Sequence, residues 1–192
     1  MQFNNAKKFI LGKLKKELPK YLSYHSVEHI RDVYDSAKSI AKSEGVKGED
    51  KKLLLTAALF HDSGFLSQQK DHEKISCDMA KQYLPGFGYT DDQIEKICGM
   101  IMATKIPQTP HTLLEEILCD ADLDYLGRDD FFTIGNKLFS ELSIYGILNT
   151  EEEWNQLQAR FLEKHHYFTN TAIKLRKEQK DEYLRQIRSK IS

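Results

Sequence analysis

Apolar residues recur along this chain at three- and four-residue intervals, the period of helices that bury one face. No segment sustains the apolar–polar alternation of a half-buried strand, and only ten Gly and four Pro interrupt the pattern. The punctuation therefore sets the elements. A first helix is predicted over residues 4–18, ending at Pro19. Ser26 is placed to cap a second that runs to residue 44, with Ile30, Val33, Ala37 and Ile40 as its inner stripe. Gly45 and Gly48 break it, a third helix spans residues 50–61, and Gly64 ends that one. A loop over residues 65–70 leads to a fourth helix at 71–84, closed by Pro85-Gly86-Phe87-Gly88. Thr90 and Gln93 form a capping-box pattern ahead of a fifth, which carries Ile94, Ile97, Ile101 and Met102. Beyond Pro107 and Pro110 a sixth begins near Thr112 with Leu114, Ile117, Leu118 and Ala121 inward. Two more are predicted at 129–145 and 151–164, the latter capped by Thr150, and a last one from residue 167 almost to the end. The expected fold class is all-α.

Composition narrows this picture more than it extends it. The 192 residues fit one domain, and 40% hydrophobic content supplies a proper core. With 28 basic against 29 acidic side chains the net charge is −1, which gives no electrostatic footprint for duplex nucleic acid. The basic residues of the C-terminal helix, from Lys174 to Lys190, alternate with Glu178, Asp181 and Glu182 and read as a solvated face. Three widely spaced cysteines with no CxxC fit neither a disulfide framework nor a zinc finger and suit a reducing cytoplasm. No window approaches a membrane span, and the amphipathic N-terminal stretch lacks a signal-peptide core.

Three clusters carry the candidate chemistry. The apolar run from Leu53 ends abruptly in His61-Asp62. A carboxylate at the end of a buried helix costs several kcal/mol unless a cation or an ion pair compensates it. Upstream, His25 and His29 lie four apart, which on a helix places them on one face. The pair can share a metal or divide the work, one as ligand and one as proton donor. Downstream, Asp120, Asp122 and Asp124 alternate after an apolar helix, and helical geometry does not choose among them. Two imidazoles and two carboxylates suit a divalent transition metal with positions left open for water and substrate.

In this order, a histidine, then His-Asp, then a distant aspartate, the chain resembles the HD-domain superfamily of metal-dependent phosphohydrolases, and in particular its small bacterial predicted hydrolases. The resemblance covers roughly residues 24–126. It implies a compact multi-helix bundle with its core at about residues 22–130 and extra C-terminal helices at 131–192 packed on it. It implies His29, His61, Asp62 and Asp122 as ligands, Asp122 being chosen over Asp120 by the family pattern. The segment from Tyr24 to Val33 is also similar to the corresponding helix of cyclic-nucleotide phosphodiesterases, which implies His25 as general acid. Asp62 then both binds the metal and orients the attacking water. His72, Lys105 and Arg128 are the candidates to contact the phosphate or support the ligands.

One ion is expected: Mn, Fe, Co, Ni, Zn and Mg all suit such ligands. Dinuclear members carry two further histidines; His72 matches one, and Ala103-Thr104-Lys105 stands where the second is often found. The implied substrate is a small phosphate ester or anhydride, in first place a nucleotide. A di-iron oxygenase of the HD type and a non-catalytic metal- or nucleotide-binding module are the alternatives. Self-association is left open.

Overall fold

The computed structural model describes residues 1–191 and contains nine α-helices and no strand among them. The helices are α1 (Phe3–Glu17), α2 (Val27–Ser43), α3 (Gly48–Phe60), α4 (His72–Tyr83), α5 (Asp91–Ala103), α6 (Leu113–Asp122), α7 (Phe131–Ile144), α8 (Glu151–Lys164) and α9 (Asn170–Ile191). Short 3-10 turns lie at Ser63–Leu66, Leu84–Phe87 and Asp124–Gly127. None of the described helices is long and apolar enough to cross a membrane. Cys77, Cys98 and Cys119 are free and buried.

α3 is the axis. Leu53 through Phe60 are buried without a break, so this helix is apolar on every side rather than along one stripe. It packs against α1, α2, α5 and α6, and truncating a leucine there to alanine costs about 2–5 kcal/mol. The stripes of the surrounding helices complete this first core: Ile10 and Leu14 from α1, Ile30, Val33 and Ala37 from α2, Ile97 and Ile101 from α5, Ile117 and Leu118 from α6.

A second apolar cluster is built from the C-terminal half. Leu123, Tyr125 and Leu126 from the turn after α6 meet Phe131 of α7, Leu162 of α8 and Tyr183 and Ile187 of α9. α8 and α9 lie side by side, and α9 also packs on the 124–127 turn. The approach is close enough that a Cβ on Gly127 would stand 2.3 Å from the carbonyl oxygen of Arg176, so only glycine fits.

Helix starts follow the cap residues. Ser26, Thr90, Thr112 and Thr150 each accept a hydrogen bond from the third helical amide, and the three threonines complete capping boxes with Gln93, Glu115 and Glu153. Two expectations shift. α9 begins at Asn170 rather than at 167, because the Asp120 carboxylate binds the Phe168 and Thr169 amides in a non-helical approach. α2 begins after the Ser26 cap, so His25 precedes the helix, and no helical face carries both His25 and His29.

Candidate metal centre

The ends of three helices meet at one point. His29 sits in the first turn of α2, where its amide donates to the Ser26 hydroxyl. His61 terminates α3, and its Nδ1 bonds the carbonyl of Ala58 at 2.9 Å. A carbonyl only accepts, so Nδ1 carries the proton and Nε2 of the neutral ring presents a lone pair. Asp62 opens the 63–66 turn, and Asp122 is the last residue of α6.

The His29 and His61 Nε2 atoms and one Asp122 oxygen all lie within 4.8 Å of one another. His29 Nε2 is 3.2 Å from Asp122 Oδ1 and 3.4 Å from Asp62 Oδ2; His61 Nε2 is 3.2 Å from Asp62 Oδ2 and 3.4 Å from Asp122 Oδ1. Yet His29 Nε2, His61 Nε2 and Asp62 Oδ2 are buried and have no hydrogen-bond partner among the described residues. The separations are those of ion pairs, but no N–H direction serves them. Buried polar atoms are rarely left so. Four donor atoms aimed at a common point are the arrangement that metal ligands adopt, and two imidazoles with two carboxylates suit a divalent ion.

The electrostatics demand positive charge. Burial opposes a charged His29, and the Asp122 and Asp62 carboxylates outweigh it, lifting the ring to about 9. His61 is raised in the same way, its burial overcome chiefly by Asp62. Burial would raise Asp62 and Asp122 too, but the facing imidazoles hold Asp62 well below the carboxylate range and Asp122 at about 2. A divalent cation satisfies that demand without the protons. The residues present therefore fit the metal.

Around this point the structure adds two supports. His25 lies beside the ligands, with its ring centroid 6.2 Å from that of His29. Its ring stacks on Phe65 at 4.0 Å, and its Nδ1 bonds the carboxylate of Glu141 from α7. Glu141 is fully buried, and its other oxygen accepts the Tyr24 and His25 amides at 2.9 and 3.1 Å. Burial would raise the Glu141 carboxyl, but His25 and these amides hold it below the ordinary range, ionised. The other support is His72. Its Nδ1 donates to the Gln69 carbonyl, and its Nε2 lies 3.3 Å from Asp62 Oδ1 and 3.5 Å from Glu73. Burial opposes its charge, and Asp62 raises it. Gly64 makes that approach possible: a Cβ there would stand 2.0 Å from the His72 carbonyl oxygen.

The three aspartates after Cys119 have separate tasks. Asp120 accepts from the Phe168 and Thr169 amides and the Thr169 hydroxyl, anchoring the start of α9. Asp124 pairs with Arg176 and Arg128 and accepts from Ser36. Asp122 faces His29 and His61.

Two expected phosphate contacts are not brought to this place. Lys105 pairs with Asp71 at 2.9 Å on the surface, half exposed. Arg128 is held by Asp32, Asp124 and Asp130. Neither lines the cavity that carries Asp62 and Asp122, though Arg128 borders a second one with His29 and Asp32; nearby carboxylates pair with both, and sequence separation hides such partners.

That cavity, of about 230 Å³, carries His25, Asp62, His72, Glu73, Thr104 and Asp122 at one end. The rest of its lining is mainly apolar and comes largely from α7 and α8, with Tyr24, Tyr125 and Gln158 among its residues. Glu73, Glu141, Gln158 and this wall are absent from the sequence reading. Glu141 had a signal: with Phe131, Gly135 and Leu138 it falls on the inward stripe of α7, where an acid needs a partner.

The family model described as HD domain matches residues 26–124. No curated protein matches the chain. Among solved structures, a predicted HD superfamily hydrolase from an uncultured Thermotogales bacterium is similar at 20% identity, with a TM-score of 0.65 over 96% of this chain and 92% of that one. A protein from Lactobacillus plantarum is similar at 19% identity, with a TM-score of 0.70 over 99% of this chain and 98% of that one. At these identities the likeness is one of fold.

Proposed function

The chain belongs to the HD domain family, and from that premise we propose that it is a metal-dependent hydrolase of small phosphate esters. The observation that carries this reading is the convergence of His29 Nε2, His61 Nε2 and Asp62 Oδ2, buried and without a hydrogen-bond partner among the described residues, beside Asp122 Oδ1. These four residues would hold one divalent ion. When bound, such an ion supplies Lewis acidity toward water and charge neutralisation for phosphoryl oxygens.

The protein groups supply the rest. Asp62 divides its oxygens, Oδ2 toward His29 and His61 and Oδ1 toward His72. Its carboxylate lines the cavity and accepts a hydrogen bond from the attacking water, orienting it; the proton that water loses balances the one given to the departing oxygen. His25 gives a proton to the departing oxygen. Its Nδ1 is committed to ionised Glu141, so Nε2 is the atom left for the cavity, and the stack on Phe65 fixes the ring plane. One P–O ester bond breaks as one P–O bond to water forms; the products are an alcohol and inorganic phosphate.

Hydrolysis of p-nitrophenyl phosphate, assayed with Mn, Fe, Co, Ni, Zn and Mg in turn, tests this reading. Turnover is expected with at least one ion, to be abolished by chelation and to fall at least about a thousand-fold in Asp62→Ala, the scale of several kcal/mol of transition-state stabilisation. No turnover with any ion, or turnover unchanged in the variant, overturns it.

A further inference from the structure

Resting on the hydrolytic reading, we propose that the alcohol portion of the substrate is an uncharged, mainly apolar group of roughly ring size. It seats against the apolar side chains of α7 and α8, with Gln158 as the polar side chain assigned to it there. The two ends of the cavity carry the argument. Every group that bears charge stands at the ligand end: His25, Asp62, His72, Glu73 and Asp122. Much of the remaining lining is Phe131, Leu138, Trp154, Leu157, Phe161 and Leu162 from α7 and α8. No lysine or arginine is among the lining residues, and Lys105 and Arg128 are paired with carboxylates outside it.

A phosphate at the ligand end therefore leaves the rest of the molecule against hydrocarbon. A second phosphate or a carboxylate there would be a buried charge with no cation to meet it. A nucleoside would bring several ring nitrogens and hydroxyls to a wall whose polar groups are the Gln158 amide and the Trp154 indole N–H. That amide, Gln158, is only 8% exposed and makes no hydrogen bond among the described residues, so it is free to meet one neutral polar atom of a ligand. The volume agrees. About 230 Å³ lies between a cavity of about 150 Å³ that holds benzene and the 300 Å³ or so at which drug-sized pockets begin. The expected preference for a nucleotide is thereby replaced by a preference for the phosphate ester of a small apolar alcohol.

Calorimetric binding of inert phosphonates to the Mn²⁺-loaded protein tests this without turnover. Hexylphosphonate is expected to bind at least about 30-fold more tightly than 3-hydroxypropylphosphonate, since each buried methylene is worth about four-fold. The non-hydrolysable phosphonate analogue of adenosine 5′-monophosphate, with CH₂ in place of the 5′ ester oxygen, is expected to bind more weakly than hexylphosphonate. Leu138→Ser and Leu157→Ser, both at half-buried positions, should each cut the hexyl preference by about four-fold or more. Equal binding of the three ligands, or a preference unchanged in both variants, overturns the inference. The two readings fail separately. Turnover of p-nitrophenyl phosphate with no apolar preference removes only this one; tight hexylphosphonate binding with no turnover under any metal supports it and removes only the hydrolytic reading.

Discussion

Beside one part of the cavity, His29, His61, Asp62 and Asp122 come from the ends of α2 and α6 and the two residues that follow α3. At the other end, Leu138, Trp154, Leu157 and Phe161 come from the interiors of α7 and α8. The contrast has a physical root. A helix end is where the apolar core stops and unpaired backbone groups begin, so caps and turns there can present polar side chains at fixed angles. Ser26 does this for His29, and the Ala58 carbonyl for His61. A helix interior presents only side-chain volume, set by packing. Chemistry at the first end depends on single atoms, whereas recognition at the second depends on a surface that several substitutions can share.

Glu141 is where the contrast is sharpest, since it lies on α7 beside the apolar wall yet acts through His25. Glu141→Gln is expected to lower kcat about 10- to 100-fold, the usual cost of losing a carboxylate that orients a histidine. Metal content should stay at the wild-type level, because Glu141 bonds His25 and the Tyr24 and His25 amides and none of the ligands. Lost metal, or kcat unchanged, would place Glu141 in the scaffold alone.

Leu157→Ser probes the other end. KM for an apolar phosphate ester is expected to rise roughly ten-fold with kcat nearly constant, the mark of binding lost equally from ground and transition states. A fall in kcat with KM unchanged would mean that the wall positions the reacting phosphate rather than the alcohol.

Much of the polar end was legible in the chain, and the reason is chemical. A histidine and an aspartate closing the run from Leu53 to Phe60 are residue types that the interior of a core excludes. The all-α pattern was equally legible, because Ser26, Thr90 and Thr150 mark helix starts at the positions where they cap them. The apolar wall was not, because Leu157 lining a cavity and Leu162 filling a core have the same hydropathy and the same helical spacing. The pairings of Lys105 and Arg128 were hidden for a related reason. Arg128 meets Asp32 across 96 positions and Lys105 meets Asp71 across 34, and no local pattern announces either. The aspartate triplet was ambiguous until Thr169 and Arg176 approached Asp120 and Asp124 from α9 and its approach.

A smaller effect separates the two ends by pH. In the metal-free protein burial opposes a charged His29, but Asp122 and Asp62 outweigh it and hold the ring at about 9. A folded pKa above the unfolded value of about 6.5 contributes stability that is complete below pH 6.5 or so and lost as pH rises through about 9. Asp122, held at about 2, contributes stability above the ordinary carboxylate range that is lost only as pH falls through that value. The metal-free protein should therefore melt roughly 3–8 °C lower at pH 9 than at pH 6.5. Saturating Mn²⁺ should flatten the slope, because the ion replaces the proton. The apolar wall has no part in this, and Leu157→Ser should leave the slope intact. Circular dichroism melts with and without chelator measure it; equal slopes with and without Mn²⁺ would contradict the expectation.

The central claim is that His29, His61, Asp62 and Asp122 form a metal site and that the neighbouring Asp120 does not belong to it. Metal content after equilibration and gel filtration, in the wild type, His61→Ala and Asp120→Asn, tests this most directly. The account predicts about one divalent ion per chain in the wild type, little or none in His61→Ala, and the wild-type amount in folded Asp120→Asn. A wild type that retains no ion, or a His61→Ala protein that retains as much as the wild type, would contradict it.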